Sequence, residues 1–299
     1  MVKVKIPIKG GLGNQMFCYA YSEFLKSQGY QTELLWRDYL FTKQHNGIEL
    51  DRAFGIEFSE RDKRLLRLYT RFNKFFQTKT LKILASKFVK EFDKISTRKI
   101  FEQSTPFSFC EISYEAETLA NGFWQNNRYL DPIRPKLLKI FSFKLPLEYE
   151  KSKIVALITS VESVALHIRR GDYLDKEFAD FNVFGEKLDY HAKAIDKIRS
   201  IIPDALFFVF SDDIKWCKKK LVGSQYYFVD TNKGINSYLD MYLMSLCKHI
   251  IIANSTFSWW AAYLHNENNH DKHLVVAPKI WNNNGINTDS FSPQSWIYM

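Results

Sequence analysis

After about residue 150 the chain repeats one unit: a short apolar run, a polar turn, then an amphipathic helical stretch. VESVALHI leads to YHAKAIDKIRSII, ALFFVFSDD to a helix over 214–221, SQYYFVD to SYLDMYLMSLC and KHIIIANS to TFSWWAAYLH, and HLVVAP closes the series. Runs this continuously apolar are buried on both faces, and helices between them supply the cover, so a parallel, doubly wound α/β sheet is expected. Ligands of such sheets bind beyond the carboxyl ends of the strands. HIRRGDY, FSDD and ANSTFSWW all fall there and are expected to gather on one rim.

The first half has the same grammar with an interruption. VKVKIPI alternates apolar and charged residues like a strand, and KGGLGNQMFCYAYSEFLKSQG reads as a glycine turn opening a helix that stops near Gly29. QTELLW is a second strand. A basic helical insert comes next, over about 60–100, then FSFCEIS, NGFWQNNRYL and DPIRPKLLKIFSFKLP, helical after its prolines and ending at Pro146. With 299 residues available, this divides the chain into domains at 1–148 and 149–299.

The net charge of +9 is concentrated. Between Glu60 and Lys99 stand thirteen Lys/Arg against four acids, so the remainder is neutral overall. Leu65, Leu68, Tyr69, Phe72, Phe75 and Phe76 recur at helical spacing, with Arg61, Arg64, Arg67, Arg71 and Lys74 on a neighbouring face. Such a helix can lie on anionic lipid or pack its apolar side into the domain. No nucleic-acid-binding module is recognisable, so nucleic acid is not expected as a partner. The longest apolar runs, such as ALFFVF, are too short to span a bilayer, and MVKVKIPIKGG has no signal-peptide core, so a cytoplasmic location is expected. Cys18, Cys110, Cys217 and Cys247 form no C-x-x-C pair and read as reduced thiols. His265, His270 and His273 lie in the polar stretch HNENNHDKH and read as loop rather than metal site.

Each rim segment has its own chemistry. His167 and Arg169 share a face if the strand extends to them, and a guanidinium fork suits a phosphate oxygen. Gly171 allows a sharp turn, and Asp172 is placed to pair with Arg170. Asn254, Ser255 and Thr256 are good N-cap residues at a helix N-terminus, which either merely caps or also attracts phosphate. GGLGNQM is no dinucleotide fingerprint, because Met16 stands where the third glycine belongs, and no P-loop, because Gly-Lys-Ser/Thr is missing. The carboxylates of Asp212 and Asp213 are adjacent and point apart in an extended chain, which favours a polar ligand contact over a metal.

GGLGNQMFCYA, NGFWQNNRYL, HIRRGDY, FVFSDD, LMSLCKH and NSTFSWWAAYL stand in the order and spacing of the bacterial α-1,2-fucosyltransferase family, which the chain resembles from Lys9 to PQSWI. The basic stretch is the least family-like part, and His191 departs from a more typical Tyr. The resemblance implies a GT-B architecture, two Rossmann-like domains facing a cleft, with GDP-fucose held mainly by the second. It implies that Arg169 grips the β-phosphate, His167 contacts the nucleotide and Asp212 reads the guanine, while Ser255, Thr256 and Phe257 line the phosphates. From the first domain, Gly11, Gly13, Asn14 and Gln15 would cover pyrophosphate and fucose. Inversion without metal or cofactor is implied.

The expected reaction is therefore transfer of L-fucose from GDP-fucose to a galactose 2-hydroxyl on a glycan, with a lipid-linked oligosaccharide as one form of acceptor and the enzyme peripheral on the inner membrane face. Arg169, Asn14 and Asp172 are the catalytic candidates; Asp172 as base and a base-independent path assisted by Asn14 both stay open. The alternatives are a metal-dependent sugar-nucleotide transferase using Asp212 and Asp213, and a non-catalytic, membrane-docked glycan-binding protein.

Overall fold

The computed structural model describes residues 1–36, 46–57, 97, 99–171, 180–183, 188–265 and 273–299. Arg61, Arg64, Arg67, Arg71, Lys74, Asp172 and His270 lie outside the described residues. The chain forms two compact units, Met1–Lys144 and Leu145–Met299.

The first unit holds β1 (Lys3–Pro7), α1 (Leu12–Ser27), β2 (Gln31–Leu35), α2 (Leu50–Phe54), β3 (Lys99–Glu102), β4 (Thr118–Asn121) and α3 (Arg134–Ile140). Its strands are parallel in the order β2-β1-β4-β3. The alternation in VKVKIPI is realised: Val4 and Ile6 are buried, while their neighbours are half-exposed. Helix α1 buries Leu12, Met16, Phe17, Ala20, Tyr21 and Leu25. There Tyr21 stacks on Trp124 at 3.8 Å, and its hydroxyl meets that of Tyr114 at 2.8 Å. Helix α3 begins before Pro135 rather than after it, because a proline in the first turn sacrifices no helical hydrogen bond.

The second unit holds α4 (Lys153–Ser160), β5 (Ser163–Ile168), α5 (Asp189–Ile201), β6 (Leu206–Ser211), α6 (Ile214–Lys220), β7 (Tyr226–Phe228), α7 (Tyr238–Leu246), β8 (His249–Ile251), α8 (Thr256–Tyr263), β9 (Val275–Ala277) and β10 (Ile297–Tyr298). The strands are parallel in the order β10-β9-β8-β5-β6-β7. All six residues of β5 are buried, and each large apolar side chain so covered is worth about 1.5–3 kcal/mol. The chain runs outward from β5 through β6 to β7, then crosses back to add β8, β9 and β10 on the other side. This is the strand order of dinucleotide-binding domains, and its reversal leaves a crevice between the carboxyl ends of β5 and β8. Arg169 comes directly after β5, and Asn254 stands a few residues past the end of β8.

His265 and His273 lie outside helices and strands, as a loop reading has it, and are nevertheless packed. His265 is buried at the end of α8, donating through Nδ1 to the Ser245 carbonyl at 3.1 Å, and its ring stacks on His273 at 3.5 Å. Among the described residues no group of His, Cys, Asp and Glu could hold a metal ion. The four cysteines are free thiols.

Candidate functional site

On the rim of the second unit, register places Ile168 beside Ser211, so the turn leaving β5 meets the turn leaving β6. Arg169 Nη1 lies 3.1 Å from Asp212 Oδ2, and the Arg170 backbone N–H donates to Asp212 Oδ1 at 3.0 Å. One carboxylate thus fixes both the guanidinium and the peptide beneath it. Arg170 bonds Asp213 Oδ2 through Nε at 3.3 Å and lies over the Trp216 ring at 4.4 Å. Asp213 also caps α6, accepting from the Trp216 N–H at 3.1 Å. The two carboxylates therefore pair with different guanidinium groups. Gly171 lies in the turn after β5, as expected, and glycine is needed there for space. Its φ lies outside the left-handed region, but a Cβ there would stand 2.8 Å from Asp212 Oδ2.

His167 is buried with its Nδ1 2.8 Å from Ser258 Oγ on α8. Burial first, then the Arg169 charge and His191, pull its pKa down to about 3, so the ring is neutral at pH 7. His191 Nε2 donates to the His167 carbonyl at 3.3 Å, which packs α5 against the end of β5. Ser255 is the N-cap of α8, accepting from the Phe257 N–H at 3.4 Å; Thr256 and Phe257 open the helix, both half-buried. Asn254 lies beneath, donating to the carbonyls of Phe181 and Trp281, each at 2.8 Å. Arg169, His167, Asp212 and the first turn of α8 thus stand on the rims of adjacent strands β8, β5 and β6.

On the rim of the first unit, Gly10 has φ +68°, and a Cβ there would collide with Asn14 Nδ2. Gly10, rather than Gly11 or Gly13, is the glycine this turn requires; Gly11 serves as N-cap and Gly13 is buried in the first turn of α1. Asn14 Oδ1 accepts from Gln125 Nε2 at 2.8 Å. Gln15 differs from the expectation of donor contact: it is fully buried, donating to the carbonyls of Gly10 and Gly47 and accepting from the Glu49 N–H. With both ends of its amide satisfied inside the unit, it holds the glycine turn against α2. Trp124, at φ +58°, is strained in the left-handed region and held by Gln103 Oε1, which accepts from the N–H groups of Phe123 and Trp124 at 3.0 Å each. The turn it makes carries Gln125 to Asn14. Sequence reading missed Ser258, Gln125 and the Arg170–Trp216 stack; the motifs NSTFSWW and NGFWQNNRYL were the available signals for Ser258 and Gln125.

Two Rossmann-like units in one chain, one with an arginine at its switch point, are the parts of a GT-B glycosyltransferase. The chain belongs to glycosyl transferase family 11, whose family model matches residues 3–299. Over 97% of the chain and 96% of its relative it is 32% identical to an alpha-1,2-colitosyltransferase of Escherichia coli. It is 28% identical, over 97% of the chain and 98% of the relative, to the O-antigen biosynthesis glycosyltransferase WbnK of Escherichia coli. Galactoside alpha-(1,2)-fucosyltransferase 1 of Homo sapiens matches over 34% of this chain and 28% of its own length, at 34% identity.

Proposed function

We propose that this glycosyltransferase moves L-fucose from GDP-fucose, with inversion, to the 2-hydroxyl of a galactose, forming an α-1,2 linkage. The observation that carries the reading is the Arg169–Asp212 pair at the β5 switch point in a family 11 chain. As the glycosidic bond breaks, negative charge grows on the departing GDP. A pre-positioned guanidinium and the N-terminus of α8 stabilise that charge where it develops. Arg169 grips the β-phosphate, with Ser255, Thr256 and Phe257 beside the phosphates and His167 and Asp212 on the nucleoside side. Neutral His167 adds no positive charge and acts by hydrogen bonding. Asn14, with Gly11 and Gly13 beside it, serves the sugar from the first unit, and Asp172 is kept as a candidate base.

No metal takes part in this reading, since Asp212 and Asp213 are engaged by Arg169 and Arg170. The full-length likeness to a colitosyltransferase favours one second donor: GDP-colitose, whose sugar is fucose lacking the 3-hydroxyl. Offering both donors with lactose and separating products by mass spectrometry tests the choice; transfer from neither overturns the proposal.

The acceptor is a galactose-terminated surface glycan built on a lipid carrier, and the enzyme works peripherally at the inner face of the cytoplasmic membrane. The charge concentrated over 60–99 supports this, each Lys or Arg near an anionic surface contributing on the order of 1 kcal/mol. Cosedimentation with anionic but not neutral liposomes, lost when Arg64, Arg67, Arg71 and Lys74 become Gln, tests it. Among the described residues no helix is long and apolar enough to cross a membrane.

A further inference from the structure

At the carboxyl ends of β3, β4 and β1, three side chains of the first unit form a row. Glu102 and Asn121 are register partners on adjacent parallel strands, and Asn121 Nδ2 donates to Glu102 Oε2 at 2.5 Å. Asn121 Oδ1 accepts from Lys9 Nζ, just beyond β1. Lys9 Nζ also lies 5.2 Å from the centre of the Phe123 ring. Unlike Gln15 or Gln103, whose amides are bonded to backbone, Glu102 is exposed, and its Oε1 takes no hydrogen bond among the described residues. This row adds little to stability, since exposed charge networks are worth little in water.

We infer that Glu102, Asn121, Lys9 and Phe123 form the subsite for the acceptor sugar, with Glu102 the residue that selects it. The inference rests on the proposed glycan acceptor and deepens it. A hexopyranoside presents hydroxyls, each both donor and acceptor, around an edge, and apolar C–H groups on a face. The row offers a carboxylate to accept, an ammonium to donate and an aromatic ring for the apolar face. Asn121 bridges the two charges, which keeps Glu102 and Lys9 apart instead of letting them neutralise each other in a direct pair. Each hydrogen bond to a charged group is strengthened relative to a neutral one. A site built to accept from a hydroxyl also discriminates strongly against an analogue lacking it, because the carboxylate, covered by the sugar, is then left unpaired in the complex. Lys9 and Asn121 stand just past β1 and at the end of β4, where the strand order reverses and ligands collect, and Glu102 is one strand further out on β3.

The test compares the parent chain with Glu102→Gln and Phe123→Ala, using lactose as acceptor and GDP-fucose as donor. Glu102→Gln raises the KM for lactose about tenfold while leaving the KM for GDP-fucose and the affinity for GDP, by titration calorimetry, within about twofold. Phe123→Ala acts in the same direction. Saturation-transfer NMR with lactose alone reads binding without turnover, and the signal falls in both variants. A lactose KM within about twofold of the parent in Glu102→Gln, or an unchanged NMR signal, overturns the subsite. No transfer by the parent while lactose binding still depends on Glu102 would instead refute the proposed reaction and leave the subsite standing.

Discussion

Gly171→Ala is the most economical probe of the donor rim, because it adds one methyl group and removes nothing. The new Cβ would stand 2.8 Å from Asp212 Oδ2 and 3.0 Å from its Cγ, where ordinary contacts begin at 3.4 Å. The backbone at Gly171 does not require glycine, so the whole effect is steric. The Asp212 carboxylate must retreat by about half an ångström. It cannot do so and keep both Arg169 Nη1 at 3.1 Å and the Arg170 N–H at 3.0 Å. Losing one charge-assisted hydrogen bond costs about 1.5–3 kcal/mol, which corresponds to a roughly ten- to hundredfold loss if it is felt fully in the transition state. Displacement of the guanidinium acts the same way, since misplacement by about 1 Å can cost a hundredfold. The assay is kcat/KM for GDP-fucose with saturating lactose, alongside a melting curve showing that the variant is folded. A folded Gly171→Ala enzyme with the parent's kcat/KM would refute the argument that Asp212 positions Arg169.

Three other outcomes are expected. Arg169→Ala lowers kcat roughly 100- to 1,000-fold with little change in melting temperature, and Lys restores little, since a point charge lacks the fork that Asp212 orients; near-parent turnover in Ala would exclude the role. Transfer persists in excess EDTA; loss that Mn²⁺ or Mg²⁺ restores would contradict the metal-free reading. Burial raises the Asp240 carboxyl from 3.8 to about 7, while its Oδ1 accepts from Asn232 at 2.8 Å. Its contribution is favourable below about pH 4 and is lost as pH rises towards 7, so Asp240→Asn raises the melting temperature at about pH 8 more than at about pH 4, and equal shifts at both would count against it.

How much was readable in advance varied with how local the cause was. The second sheet was legible because its strands are apolar on both faces and every helix between them begins at a polar turn; from that pattern alone HIRRGDY, FSDD and NSTFSWW fall on one rim. The contacts those residues make were not legible. Asp213 bonding Arg170 depends on the register of β5 against β6, which no local pattern encodes. Gly171 read as a turn residue and lies in a turn, but what requires glycine there is a carboxylate 41 residues away. Gln15 read as a ligand contact because it sits in a glycine turn, but its amide bridges the carbonyls of Gly10 and Gly47, the second reached only through the fold. His265 and His273 read as loop residues and lie outside helices and strands, but their bonds to the carbonyls of Ser245 and Lys248 were not legible in the polar residues between them.

The central claim is the reaction itself, and one product analysis tests it most directly. The parent enzyme, GDP-fucose and lactose are incubated, and the trisaccharide is isolated and examined by NMR. The account predicts an α-linked fucose on the 2-position of galactose, with GDP released in equal amount. A β-linkage, attachment at another hydroxyl, or GDP release without trisaccharide would contradict it.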